Sequence, residues 1–165
     1  MIFETERLLI RKLHINDLKG FHSLESNPNV LKFATGNVKN FKENKNELKD
    51  LIRRYQLPYN NFWIYAVVLK ENNNFIGTVA LVKDGIDDEI GYRFIEAYWK
   101  NGFATELCNG LIAYCKQLGI PKLVGYVVDE NIASAKILKR LNFKVVKHFI
   151  SENMQMPETK YELFL

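Results

Sequence analysis

The chain has 165 residues, of which 47% are hydrophobic and 25% charged, and its formal net charge is +4. These values are typical of a soluble globular protein, give no indication of a disordered tail, and favour one domain over residues 1–165. The positive charges are spread along the sequence, so they permit attraction to phosphates but do not indicate a nucleic-acid-binding protein.

The amino-terminal residues do not have the pattern of a secretory signal, because acidic residues come early and no apolar segment follows them. The longest apolar run, Phe62 to Leu69, is far shorter than the ~20 residues that span a bilayer. We therefore expect a cytoplasmic protein without a membrane partner.

Two helices and a strand are predicted in the first third of the chain. Leu8–Arg11 has the composition of a short strand. His14–Glu25 then places apolar residues at three-residue steps, which predicts a helix that Asn27-Pro28 ends and that Asn16 or a neighbour caps. Asn40, with Glu43 three residues later, resembles a capping box at the start of a second helix.

Strands and helices alternate in the rest of the chain. Aromatic and β-branched segments with short turns between them predict three antiparallel strands, at Trp63–Leu69, Phe75–Leu81 and Ile86–Phe94. Apolar residues then recur at helical steps from Ala104 to Leu118, where Gly119 closes the helix. One strand, one helix and two strands follow, at Leu123–Val128, Ile132–Leu141, Phe143–Ile150 and Lys160–Leu165. The order predicts an α+β fold with a mixed, mostly antiparallel central sheet and about four flanking helices.

The two cysteines, Cys108 and Cys115, lie seven residues apart in a predicted helix. A rise of ~1.5 Å per residue separates their α-carbons by about 10 Å, which is more than the about 7 Å that a disulfide allows. We expect free thiols on a buried helix face. The histidines are isolated and no Cys/His cluster has the spacing of a metal site, so no metal is expected.

The junction between a strand and a helix at Gly102 has the features of an anion site. Glycine lets the backbone turn and lets a ligand approach closely. The first turn of a helix presents unpaired N–H groups and the positive end of the helix dipole. Lys100 adds a charge and Thr105 a hydroxyl group. A glycine that serves only the turn explains the same residues equally well, and the spacing matches neither a Walker A loop nor a dinucleotide fingerprint.

Five short motifs in order along the chain resemble the GNAT family of N-acetyltransferases, and within it the RimJ/RimL-like ribosomal-protein alanine acetyltransferases. Glu4–Arg11 resembles the "ETERLxLR" start of that branch, and Glu89–Tyr92 resembles its "ELGY" strand. Tyr98–Glu106 resembles "YWGRGYATE". Asn131–Ser134 followed by Leu141–Phe143 resembles "NxxS…LGF", although Asn and Ser at a helix start often act only as caps.

The resemblance implies acetyl-CoA as cosubstrate. Its pyrophosphate would bind, mainly through backbone N–H groups, to Lys100, Asn101, Gly102, Phe103, Ala104 and Thr105. The pantetheine arm would pair with Phe94 and Ile95, in a gap where their strand separates from Leu123–Val128, and would end beside Asn131 and Ser134.

The sequence departs from the family pattern at three places. Glu96 stands where many relatives have proline, Lys100-Asn101 where they have Gly-Arg, and Asn142 where they have glycine. We therefore expect altered charge contacts with the phosphates but a retained backbone site.

Acetyl transfer to an amine requires loss of a proton, because lysine-type amines have pKa values near ~10. Glu89 is the leading candidate for the base, and the alternative is that it binds a cationic substrate or faces solvent. Backbone N–H groups of Phe94 or Ile95 could stabilise the developing oxyanion. By resemblance Ser134 would donate a hydrogen bond or proton to the leaving thiolate, with Tyr126 in reserve.

The resulting hypothesis is an N-acetyltransferase that transfers acetyl directly, within a ternary complex, to a primary amine. The acceptor is either a small molecule or a protein or peptide N-terminus, and the protein is a monomer or a homodimer. The main alternative is a non-catalytic acetyl-CoA sensor of the same fold. A nucleic-acid binder is disfavoured, because it needs clustered positive charge between aromatic residues, and Arg53-Arg54-Tyr55 is only a modest candidate for such a cluster.

Overall fold

One eight-stranded sheet organises the fold, with helices on both of its faces. The computed structural model describes all residues from Met1 to Leu165. The strands are β1 Phe3–Glu4, β2 Leu8–Lys12, β3 Phe62–Leu69, β4 Asn74–Asp84, β5 Asp87–Phe94, β6 Lys122–Val128, β7 Lys144–Ile150 and β8 Pro157–Phe164. The helices are α1 Leu18–Glu25, α2 Pro28–Leu31, α3 Phe41–Arg54, α4 Phe103–Gln117 and α5 Ile132–Arg140. None of them is long and apolar enough to cross a membrane.

The predicted α+β fold with a mixed, mostly antiparallel sheet is confirmed. The strand order is β1-β2-β3-β4-β5-β6-β8-β7, and β5 and β6 are the one parallel pair of neighbours. These two strands pair only at Asp88 with Leu123 and at Glu89 with Val124. Beyond Glu89 they separate towards their carboxyl ends. We call the space between Ile90–Phe94 and Gly125–Val128 the β5–β6 gap.

Alternation along the strands directs side chains to two different helix layers. Val67 of β3 packs in one cluster with Leu107 of α4, whereas its neighbour Val68 packs with Phe21 of α1 and Leu48 of α3. The same alternation divides β5. Its residues Ile90, Tyr92 and Phe94 face α4, and its residues Glu89, Gly91 and Arg93 face the side of α1.

Several element boundaries differ from the sequence prediction. Asn27-Pro28 does follow the end of α1, but it also starts the additional short helix α2, in which the Asn27 side chain is the N-cap and Pro28 is the first helical residue. The fixed φ of proline suits that position. The first helical turn is capped by His14, whose ring nitrogen accepts from the backbone N–H of Asn16 at 3.2 Å. The two-residue strand β1 is too short to leave a periodic signal.

The remaining local predictions are confirmed. Asn40 and Glu43 form a reciprocal capping box at the start of α3. Cys108 and Cys115 are free and buried on α4. Burial raises the pKa of both thiols to about 12, so they stay protonated at neutral pH and are poor nucleophiles.

Gly77 of β4 is expected to tolerate no side chain. A Cβ at this position would lie 2.1 Å from the backbone carbonyl oxygen of Arg93 on β5. We expect Gly77→Ala to lower the free energy of unfolding by about 3 kcal/mol, at the upper end of overpacking effects, because backbone must move. Urea denaturation measures this. Gly91→Ala is the matched control, since its Cβ would meet only Ala80 at 3.8 Å, and equal losses in both variants would contradict the prediction.

Candidate functional site

The turn before α4 presents backbone N–H groups at its outer end. Gly102, the N-cap of α4, has φ +80°, and no side chain caps the helix. The N–H groups of Phe103, Ala104 and Thr105 precede the first intrahelical hydrogen bond and have no partner in the protein. The side chain of Phe103 is buried, so this residue offers only its backbone. The turn therefore has the free amides that an anion site needs.

Two of the departures from the family pattern lie in left-handed backbone. Lys100 has φ +63° and Asn142 has φ +66°. Glycine adopts this conformation without strain, whereas for other residues it costs about 1–2 kcal/mol, and asparagine tolerates it best. The backbone conformation favours glycine at both positions and indicates that Lys100 is held under local strain.

The two residues predicted to pair with the pantetheine arm differ in what they can offer. The N–H of Ile95 donates to the carbonyl of Ile76 on β4 at 2.9 Å, so Ile95 is not a free donor for an oxyanion. The backbone N–H and C=O groups of successive residues in a strand point to opposite neighbours. Since those of Ile95 point to β4, those of Phe94 face the β5–β6 gap. Its carbonyl there accepts from the indole N–H of Trp99 at 2.8 Å.

Asn131 and Ser134 are brought together at the start of α5. The Asn131 side chain accepts from the backbone N–H of Ser134 at 3.2 Å, so its position is explained by helix capping. The Ser134 hydroxyl lies 3.1 Å from the Tyr92 hydroxyl of β5. Because α5 follows β6, this contact crosses the β5–β6 gap.

Tyr92 was not among the site residues that the sequence indicated. It belongs to the "ELGY"-like motif, and its alternation with Ile90 and Phe94 puts it on the apolar face of β5. Its partner Ser134 is 42 residues away, so no local pattern predicts the contact. Burial raises the pKa of Tyr92 and keeps its hydroxyl group protonated.

Glu89 lies at the last paired position before β5 and β6 separate. Its carboxylate is partly buried and makes no hydrogen bond or ion pair with the protein. Burial, with smaller effects of the Asp84 and Glu158 carboxylates, raises the pKa of Glu89 above its ordinary value. An unpaired carboxylate of this kind is suited to accept a proton.

Tyr126 lies on the opposite face of the sheet from Ser134. It is paired with Lys160 of β8, and its hydroxyl donates to the Asp84 carboxylate at 2.5 Å. Glu89 and Tyr126 share the face that α1 borders, whereas Ser134 and Tyr92 lie on the face of α4 and α5. Ser134 and Tyr126, the two candidates for stabilising the thiolate, therefore lie on opposite faces of the sheet, and Ser134 is the one at the β5–β6 gap.

Glu96, the third departure, connects the turn after β5 to α2. Its carboxylate accepts from the side-chain amides of Asn27 at 2.8 Å and Asn29 at 3.1 Å. Lys32 lies 3.9 Å from Glu130, which follows β6. The segment of α2 therefore bridges the ends of β5 and β6 at the mouth of the gap.

Comparison with known proteins gives a consistent result. A family model described as "Acetyltransferase (GNAT) domain" matches residues 7–144. The uncharacterized N-acetyltransferase YoaA of Bacillus subtilis is 26% identical over 160 residues, which cover 92% of this chain and 89% of that protein.

Solved structures show the same fold. A GNAT-family acetyltransferase from Bacillus anthracis superposes with a TM-score of 0.86 at 21% identity, covering 98% of this chain and 97% of that one. RimL, a ribosomal L7/L12 alpha-N-protein acetyltransferase solved in complex with coenzyme A, has a TM-score of 0.83 at 17% identity, covering 98% and 96% of the two chains.

Proposed function

Because the chain belongs to the GNAT family of acetyltransferases, we propose that it transfers the acetyl group of acetyl-CoA directly to a primary amine within a ternary complex. The observation that carries the proposal is the unpaired, partly buried carboxylate of Glu89 at the point where β5 and β6 separate. The gap beside it and the free amides before α4 supply places for the two ends of a long, phosphorylated thioester.

The residues present fit coenzyme A. Phe103, Ala104 and Thr105 offer unpaired N–H groups to the pyrophosphate, with Gly102 shaping the turn. The β5–β6 gap has a free strand edge for the pantetheine arm. Of the two residues predicted to pair with that arm, the backbone of Phe94 faces the gap and that of Ile95 does not. Acetyl-CoA supplies the activated acetyl thioester.

Glu89 acts as the general base in this proposal. A primary amine arrives mostly protonated and must lose a proton before it attacks a carbonyl carbon. The raised pKa of Glu89 brings its basicity closer to the operating pH. The neighbouring carboxylates of Asp84 and Glu158 also attract a cationic acceptor to this face.

The gap side of the site stabilises negative charge. The N–H of Phe94 is the backbone donor available for charge on the acetyl oxygen, because that of Ile95 is engaged by Ile76. The Ser134 hydroxyl donates a hydrogen bond to the leaving sulfur, and the Tyr92 hydroxyl donates in turn to Ser134. No proton needs to leave Tyr92, whose pKa is raised by burial.

We expect the acceptor to be an α-amine of a protein or peptide. An α-amino group has a pKa near ~8, well below the ~10 of a lysine side chain, so a carboxylate base removes its proton more easily. RimL, which has the same fold, is named as an alpha-N-protein acetyltransferase. The segment from Leu31 to Tyr59 is proposed to border the acceptor.

Removal of the Tyr92 hydroxyl should lower kcat through Ser134. We expect Tyr92→Phe and Ser134→Ala each to lower kcat up to about tenfold, the loss of one buried hydrogen bond. In the Ser134→Ala background, Tyr92→Phe should have little further effect, since its partner is gone. Steady-state kinetics of the single and double variants measure this. Fully additive losses would show that Tyr92 does not act through Ser134.

The proposed function is tested by release of free thiol from acetyl-CoA against a panel of amines. We expect release that depends on the amine and is fastest with peptides that have a free N-terminus. Cofactor binding without thiol release on any amine would support the sensor alternative. Absence of cofactor binding would contradict the proposal altogether.

A further inference from the structure

Arg7, between β1 and β2, lies against the turn that precedes α4. Its Nη1 donates to the backbone carbonyl of Asn101 at 3.1 Å. Its Cζ lies 4.5 Å from the centroid of the Phe103 ring. A Cβ added at Gly102 would lie 3.5 Å from Arg7 Nη2. The guanidinium group therefore borders the same short segment whose backbone N–H groups face outward.

Glu106, on the first turn of α4, holds Arg7 in this place. Its Oε2 accepts from Arg7 Nε at 2.7 Å, and its Oε1 accepts from the Arg7 backbone N–H at 2.8 Å and from the Thr5 hydroxyl at 2.5 Å. Burial opposes ionisation of Glu106, but the hydrogen bonds from Thr5 and Arg7 outweigh it and lower its pKa. The carboxylate is thus ionised at neutral pH and the guanidinium is anchored on one side.

The other side of the guanidinium is available to a ligand. Nη2 donates no hydrogen bond within the protein, and the side chain is 44% exposed. An anchored guanidinium loses little side-chain freedom when it binds, and its planar donors suit phosphate oxygens. Lys100 is exposed and forms no ion pair, and Asn101 is uncharged, so neither provides a fixed charge at the turn.

We propose that Arg7 is a phosphate-binding residue of the cofactor site, positioned by Glu106 and directed at the pyrophosphate of coenzyme A. The proposal rests on the proposed function, because it requires coenzyme A as the ligand. It assigns the amino-terminal segment Thr5–Arg7 a role in the site and gives a physical reason for its pairing with Glu106, which is 99 residues from Arg7.

Calorimetric titration of the wild type, Arg7→Gln and Arg7→Lys with three ligands tests this role. The ligands are coenzyme A, dephospho-coenzyme A, which keeps the pyrophosphate, and acetyl-pantetheine, which has no phosphate. We expect Arg7→Gln to bind the first two about 10- to 100-fold more weakly, the range of a charge-assisted hydrogen bond, and acetyl-pantetheine equally well. Arg7→Lys should recover part of the affinity. Arg140→Gln, the same change at an exposed arginine of α5, is the control.

A second variant, Glu106→Gln, tests whether Arg7 contributes its charge to binding or only supports the turn before α4. It weakens the anchor but keeps Arg7, so we expect a smaller loss than in Arg7→Gln. An equal loss in the two variants, or an equal loss for acetyl-pantetheine, would show that Arg7 only supports the turn. Full affinity in Arg7→Gln, or a loss confined to ligands with the 3′-phosphate, would overturn the assignment to the pyrophosphate. A wild type that binds no coenzyme A would instead overturn the proposed function.

Discussion

Replacement of Glu89 by glutamine should lower kcat by about 100- to 1000-fold, within the range of general base catalysis. The substitution keeps the shape of the side chain and removes its ability to accept a proton. Because Glu89 makes no hydrogen bond or ion pair with the protein, the substitution removes no polar interaction from the folded state. Steady-state kinetics with acetyl-CoA and the best acceptor amine measure the effect, and unchanged turnover would remove Glu89 from the mechanism.

The pH profile distinguishes a base from a substrate-binding carboxylate. Since the pKa of Glu89 is raised, kcat in the wild type should fall as pH decreases through that pKa, and this limb should disappear in Glu89→Gln. Glu158→Gln is the matched control on the same face. It removes a carboxylate that raises the pKa of Glu89, so the acidic limb should move to lower pH with the plateau retained.

Stability provides an independent check on Glu89→Gln. A carboxyl group whose pKa is higher in the folded than in the unfolded state binds more protons in the folded state, so stability decreases as pH rises through that range. Glutamine mimics the neutral form, and we therefore expect this variant to be slightly more stable than the wild type at pH 7. Thermal unfolding at neutral pH measures this, and a loss of stability would attribute the kinetic defect to misfolding.

Gly102→Val should weaken coenzyme A binding by at least about 100-fold, which corresponds to two charge-assisted hydrogen bonds. Gly102 has φ +80°, a conformation that β-branched residues adopt only with strain. A side chain there would also approach Arg7 Nη2, which lies 3.5 Å from the Cβ position. The turn must rearrange, and the free amides of Phe103 and Ala104 would then no longer converge on the proposed position of the pyrophosphate.

Gly119→Val is the control for backbone strain in Gly102→Val. Gly119 follows the other end of α4 with φ +72°, and a Cβ there would meet nothing within 4 Å. Both variants should lose similar stability, about 1–2 kcal/mol from the left-handed backbone, but only Gly102→Val should lose affinity in a calorimetric titration. A similar loss of affinity in both would attribute the defect to the strain of α4 and not to the turn.

Local patterns in the sequence predicted most of the fold. The capping box of Asn40 and Glu43, and the helical spacing of Leu107 and Leu111, depend on neighbours within one or two turns and were confirmed. The end of α1 before Asn27-Pro28 was predicted correctly, but α2 was not predicted, although the same pair is also a good start for a helix. A local signal that stops one helix does not exclude the start of another.

Motifs in the sequence indicated several residues of the candidate site, but not the contacts between them. The sequence indicated the turn at Gly102, the carboxylate of Glu89 and the cap at Asn131 and Ser134. It did not indicate that Tyr92 meets Ser134, or that Arg7 and Thr5 bind Glu106, since these pairs are 42 to 101 residues apart. Such contacts depend on how the strands are ordered in the sheet, which no local spacing determines.

Transfer of a ¹³C-labelled acetyl group from acetyl-CoA, followed by NMR with a peptide that has a free N-terminus, tests the central claim most directly. We expect an N-acetyl signal on the peptide that appears together with an equal amount of free coenzyme A, and no such signal with an N-terminally blocked peptide. Label that remains on coenzyme A with every amine offered, or that appears only as free acetate, would contradict the account.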